Sequence, residues 1–250
     1  RHYAGSLMPN VAFAPFAYPY RNPFAGDCAT ETLRFLEEQV LDRVLPTEDC
    51  AAIIYEPIQG AGGYIVPPKE FIQGLQKICR ERSILLIADE VQTGFAKTGY
   101  MFASEAFGTE PDILCLSKSI AAGLPMGATV ARAELLDWAP NTHENTLGGN
   151  PVVLSAALAV LDVIEEENLT KRALVIGERL TKGLHELQSR HALIGDVRNL
   201  GAMVGIELVR DRATKEPATK QRDAFIKACF ARGLLVLGAG ASSIRLSPPL

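Results

Sequence analysis

"PDILCLSKSIAAGLPMG" (residues 111–127) opens with a run, residues 113–117, in which four of five side chains are apolar or sulfur-bearing. A continuous apolar run is the pattern of a strand covered on both faces, and such strands belong to parallel α/β sheets. Lys118 stands at the end of the run, followed by small residues and glycine. That context predicts a poorly hydrated amine, closely approached by its neighbours. Packing alone gives no reason for a lysine there.

Working outward, "ILLIADE" (84–90) and "GATVARA" (127–133) read as further strands, and "AAIIYEP" (51–57) as a short one stopped by Pro57. Helical or loop segments separate them, which favours a largely parallel α/β sheet over an alternating antiparallel one. Leu33, Leu36, Val40, Leu41 and Val44 have helical spacing, and a helix from about Glu70 puts Phe71, Ile72, Leu75, Ile78 and Cys79 on one face. "IQGAGG" between them reads as a Gly-rich turn. Asn150 and Pro151 have the chemistry of an N-cap and first helical position, so a long helix starts there, with a second over about 170–190. Beyond it the texture turns to α+β: two short strands in "IGDVRNLGAMVGIELV", a helix, then strands "LLVL" and "SIRLS". The expected division is a large domain, residues 1–165, and a small C-terminal domain, residues 166–250.

The chain has 250 residues, 48% hydrophobic and 22% charged, enough for a sizeable core. A net charge of -4 and the lack of any Lys/Arg run argue against a nucleic-acid partner. No apolar stretch approaches the ~20 residues that cross a bilayer. The five cysteines are odd in number and widely spaced, without a CxxC pair. They predict neither a disulfide framework nor a metal site, and a reducing cytoplasm is the simplest reading. The chain starts "RHYAG" and ends "IRLSPPL", the pattern of a fragment or trimmed chain.

Asp89 closes one strand and Lys118 the next. Ligands of open α/β sheets gather beyond the carboxyl ends of strands. If both strands point the same way, a carboxylate and an amine emerge at one rim. A structural ion pair is the bland account, but burial offsets much of its attraction. Lysine is also the usual Schiff-base residue. Pyridoxal phosphate asks for such an amine, and for an acid at its pyridine nitrogen to keep the ring an electron sink.

Four motifs in order, "YEPIQGAGG", "LLIADEVQTGFAKTG", "PDILCLSKSIAAGLPMGA" and "NTLGGNP", resemble the class III, or omega, aminotransferases. The entry segment "MPNVAFAPFAYPYRNPF" is most similar to 4-aminobutyrate and acetylornithine aminotransferases. The resemblance implies the aspartate aminotransferase-like fold (fold type I), with a mostly parallel large-domain sheet and a C-terminal α+β small domain. It implies pyridoxal 5'-phosphate, bonded to Lys118, with Asp89 at the pyridine nitrogen. Val91 then packs on a ring face, and Gln92 lies near the phenolic oxygen. Thr146 reaches a phosphate across the subunit interface of a homodimer. Arg245 grips a substrate carboxylate, for which a planar bidentate donor is suited, and Glu56 can pair with it. The implied partners are small amino acids and 2-oxo acids, with 2-oxoglutarate as acceptor.

Ala61, Ala96, Lys97 and Ser119 depart from the family's usual residues. The family's N-terminal phosphate loop and stacked aromatic find no match in "RHYAGSLMPN", so the N-terminal part is expected to be missing. Two readings stay open beside the transaminase: an amino-acid racemase or epimerase of the same fold, and an inactive fragment. A nucleotide-binding oxidoreductase lacks support, since no GxGxxG follows a strand.

Overall fold

Helix α1 (Cys28–Phe35) begins where Asp27 accepts the Thr30 N–H at 2.8 Å, a bond that holds the Asp27 carboxyl below its ordinary range. The structure, a computed structural model, describes residues 10–250; the opening residues 1–9, His2 among them, lie outside the described residues. The chain forms two compact units. The first holds the described residues up to Ile53 and Pro67–Leu86; the second holds Ile54–Val66 and Ile87–Leu250.

In the first unit α1 runs into a π-helical turn, Leu36–Leu41, which carries part of the helical spacing expected through Val44. Helix α3 (Lys69–Glu81) buries all five residues of its expected stripe. Each of its large apolar side chains contributes about 1.5–3 kcal/mol by leaving water. Gly74 lets α3 approach α1, since a Cβ there would sit 2.2 Å from Leu33 Cδ1. Arg82, at the end of α3, reaches Asp42 at 2.9 Å, Glu37 at 3.2 Å and the Thr47 hydroxyl at 2.9 Å.

One four-stranded sheet has the order β1 (Ala52–Tyr55), β2 (Leu85–Asp89), β3 (Ile113–Leu116), β4 (Ala128–Ala131). Strands β2 and β3 are parallel, as the apolar runs predict. Strand β4 turns back antiparallel on β3, because residues 117–127 are too short for the crossover of a dozen or more residues that a parallel return needs. Strand β3 is also less covered than its sequence implies: three of its four residues are half-buried. The Gly-rich turn after β1 is a single helical turn, α2 (Gly60–Gly63), closed by Tyr64 in the left-handed region at φ 53°.

After the short helix α4 (Ala103–Phe107), the long helix α5 (Pro151–Glu166) starts as expected, with Asn150 Oδ1 accepting the Val152 N–H at 3.0 Å. Helix α6 (Leu169–Arg190) leads into the second sheet. Its order is β5 (Ile194–Leu200), β6 (Met203–Leu208), β8 (Ser243–Leu246), β7 (Leu237–Ala239), with every neighbour antiparallel and α7 (Thr219–Phe230) between β6 and β7 in the chain. Every residue of β6 is buried. Strand β7 begins at the last residue of the expected "LLVL"; Leu234 and Leu235 are exposed, without ladder partners.

Candidate active site

The site is built where β2 and β3 end. Their register pairs Asp89 with Cys115, and the Glu90 N–H donates to the Cys115 carbonyl at 3.0 Å. Lys118 lies three residues beyond Cys115. Asp89 and Lys118 therefore leave the sheet at the same rim, the carboxyl end of two parallel strands.

The backbone turns abruptly at the lysine. Ser117 is extended (φ −169°), and Lys118 is left-handed at φ 49°, opening a 3-10 turn, Lys118–Ala121. A non-glycine residue in that region carries strain of about 1–2 kcal/mol. Two serines brace the turn. The Ser117 hydroxyl donates to the Met126 carbonyl at 2.7 Å, and that of Ser119 to the Gly94 carbonyl at 3.2 Å. The anchoring role of Ser119 was not visible in the motif. Lys118 is exposed, so the expected poorly hydrated amine is corrected: small residues beside it leave room for water as readily as for neighbours. Among the described residues no carboxylate pairs with it.

Neighbouring acids divide the work at the end of β2. Glu90 is 1% exposed, and its carboxylate is filled by donors: Ser104 N–H and hydroxyl at 2.7 Å each, Ala103 N–H at 3.0 Å, and the Thr93 hydroxyl. It fastens the loop after β2 to the start of α4. Asp89 is half-buried and accepts only the Val91 N–H, on Oδ1 at 3.1 Å, among the described residues. Its second oxygen stays available. Burial, with the Asp89 charge second to it, pushes the Cys115 thiol up.

Gln92 and Glu56 meet at Gly60. Glu56 Oε2 accepts the Gly60 N–H at 2.8 Å, and a Cβ on Gly60 would fall 1.7 Å from Gln92 Oε1. Gln92 and Lys118 line one cavity of about 580 Å³ together with Lys97, Ser119 and Ser247; Asp89, Val91, Glu56, Thr146 and Arg245 are not in its wall.

Arg245 sits in the middle of β8, in register with Gly205 on one side and Leu237 on the other. Its guanidinium carbon lies 5.4 Å from the centre of the Tyr64 ring, and its Nε is buried without a hydrogen-bond partner. No ion pair joins it to Glu56, whose carboxylate caps Gly60 instead. Beside it, Arg198 forms a network that the sequence did not disclose, donating to Gly63 O at 2.7 Å, Ser243 Oγ at 3.0 Å, Glu207 at 3.3 Å and Asp196 at 2.8 Å. Thr146 stands apart in residues 136–152, all of them exposed, on a turn where Asn145 Oδ1 accepts the N–H groups of Leu147 and Gly148.

The family model described as "Aminotransferase class-III" matches residues 1–250. The chain belongs to the class-III aminotransferases. It is 42% identical to a 4-aminobutyrate aminotransferase of Mycobacterium leprae, covering 98% of this chain and 56% of that protein. It is 38% identical to an alanine/serine racemase of Pyrococcus horikoshii, covering 98% of this chain and 53% of that protein. In structure it matches an amine transaminase from an uncultivated Pseudomonas species in the PLP-bound form. There the TM-score is 0.92 and the identity 38%, over 99% of this chain and 59% of that one. The chain thus spans a little over half the length of these proteins.

Membership implies pyridoxal phosphate, and the residues present fit it. An amine without an acid partner and a carboxylate with a spare oxygen, among the described residues, leave the same sheet rim, which is the donor set that an aldehyde and a ring nitrogen require.

Proposed function

We propose that Lys118 and Asp89 are the working pair of a pyridoxal 5'-phosphate-dependent aminotransferase. It moves an amino group from an amino acid, either an omega-amino acid such as 4-aminobutyrate or an ornithine-like donor, to a 2-oxo acid, with 2-oxoglutarate as acceptor. The parallel register of β2 and β3, which brings both residues to one rim, carries this reading. When bound, pyridoxal phosphate supplies an aldehyde carbon and an electron-withdrawing ring. Lys118 would hold that aldehyde carbon, then take the proton from the substrate Cα and return it. Asp89 would hold its spare oxygen at the ring nitrogen, with Val91 against a ring face and Gln92 near the phenolic oxygen. Thr146 would meet a phosphate from the second subunit of a homodimer; its wholly exposed loop supports that. Arg245, with its unsatisfied Nε, would take the substrate carboxylate, and Glu56 would tune its acceptance. A cofactor part, residues 1–165, and a C-terminal part, residues 166–250, go with this division of labour. So does a reducing cytoplasm, supported by five widely spaced cysteines with no CxxC pair. No helix among the described residues is long and apolar enough to cross a membrane.

The test is the visible absorption of the protein with added pyridoxal phosphate, before and after borohydride. Reduction should fix the cofactor on the peptide containing Lys118, and Lys118→Ala should slow amino exchange about 10²–10⁴-fold. A chain whose visible absorption never shows bound pyridoxal phosphate would be an inactive fragment, and a label on another lysine would overturn the assignment. The likeness to the Pyrococcus protein favours one second reading, a racemase with the same lysine and acid. Inversion of an amino acid with no 2-oxo acid present, followed by chiral chromatography, would select it.

A further inference from the structure

Lys97 lies in the loop after β2, and three segments meet on it. Its N–H donates to the Phe95 carbonyl at 2.8 Å, its own carbonyl accepts the Ala202 N–H at 2.9 Å from the turn between β5 and β6, and its ammonium donates to the carbonyl of Pro248. Residues 247–250 form the exit of β8, and Pro248 is three positions beyond Arg245. Strand β8 ends at Leu246, and Pro248 and Pro249 have no N–H, so these two residues can be held only through their carbonyls. Lys97 supplies that hold.

The choice of residue is expensive. Burial pushes the Lys97 amine down from its ordinary value, and no carboxylate pairs with it among the described residues. A methionine would fill the same space without desolvating a charge. Arg245, meanwhile, is held weakly at its head: a ring face 5.4 Å away and an Nε without a partner leave its reach dependent on its backbone.

We propose that Lys97 is a positioning residue for Arg245, pinning the exit of β8 through Pro248 so that the guanidinium is presented to a substrate carboxylate. This rests on the reading of Arg245 given above, and on nothing concerning Lys118. The probe is glutarate, a dicarboxylate with neither amine nor ketone, titrated by calorimetry into the full-length protein and its K97M, K97R, R245M and K97M/R245M variants. K97M should weaken glutarate about tenfold and K97R should restore it, because a guanidinium also donates to a carbonyl. The double variant should bind within about twofold of R245M alone, since the lysine acts only through the arginine. Thermal unfolding of K97M should stay close to the wild type, which a merely structural role would not allow. K97Q replaces K97M if the latter does not fold. Glutarate affinity unchanged in the neutral variant, additive losses in the double variant, or no glutarate binding by the wild type would each overturn the proposal. Borohydride labelling of Lys118 in the same samples tests the cofactor reading separately.

Discussion

Asp89 and Glu90 carry equal charge on adjacent residues and face opposite demands. Glu90 has both oxygens committed to N–H and hydroxyl donors inside the protein. Replacing one oxygen by an amide would point N–H at N–H, so Glu90→Gln should lower stability by about 2–3 kcal/mol. Asp89→Asn keeps an acceptor for the Val91 N–H at a half-buried position and should change stability by no more than about 0.5 kcal/mol. Urea unfolding of both variants checks the pair. The same comparison shows what could be read in advance. "ADE" announced an acid at a strand end, but which of the two was already satisfied depended on Ser104, a neighbour only once the chain has folded. The left-handed backbone of Lys118 was equally hidden, since lysine carries no signal for positive φ.

Helix α6 holds two glycines that look alike in the sequence and are not. A Cβ on Gly177 would fall 1.9 Å from the Gly201 carbonyl oxygen, and Gly201 itself presses on Thr98, where a Cβ would lie 2.4 Å from the carbonyl carbon. Both obstacles are backbone. Gly183 has nothing within 4 Å. Alanine improves helix propensity at either site by about 1 kcal/mol. At Gly183 that gain should survive, whereas at Gly177 displaced backbone should reverse it, leaving a net loss of about 1–2 kcal/mol. Thermal midpoints of the two variants should move in opposite directions. Periodicity is a local signal, which is why the buried stripe of α3 was legible in full. The start of β7 was not, because "LLVL" contains residues that a strand and a solvent-exposed linker could both use, and only pairing with β8 decides between them.

For the whole molecule, Asp89 and Lys118 could be singled out as candidates because strand ends can be read from the chain, whereas Arg245 was singled out only by the resemblance to class III aminotransferases. What was missed, the Arg198 network and the ties of Ser119 and Lys97, joins segments far apart in sequence and leaves no local trace. The proposed homodimer has its own check: sedimentation of the full-length protein should give twice the chain mass, and Thr146→Ala should weaken retention of pyridoxal phosphate rather than assembly. Residues 136–152 carry one further consequence. A stretch with every side chain in water and no helix or strand before Pro151 is an easy substrate for a protease, with Trp138 and Leu147 as obvious cleavage marks. If a second subunit does settle there, digestion at this segment becomes a clock for association: rapid nicking in dilute samples, slowing as concentration rises.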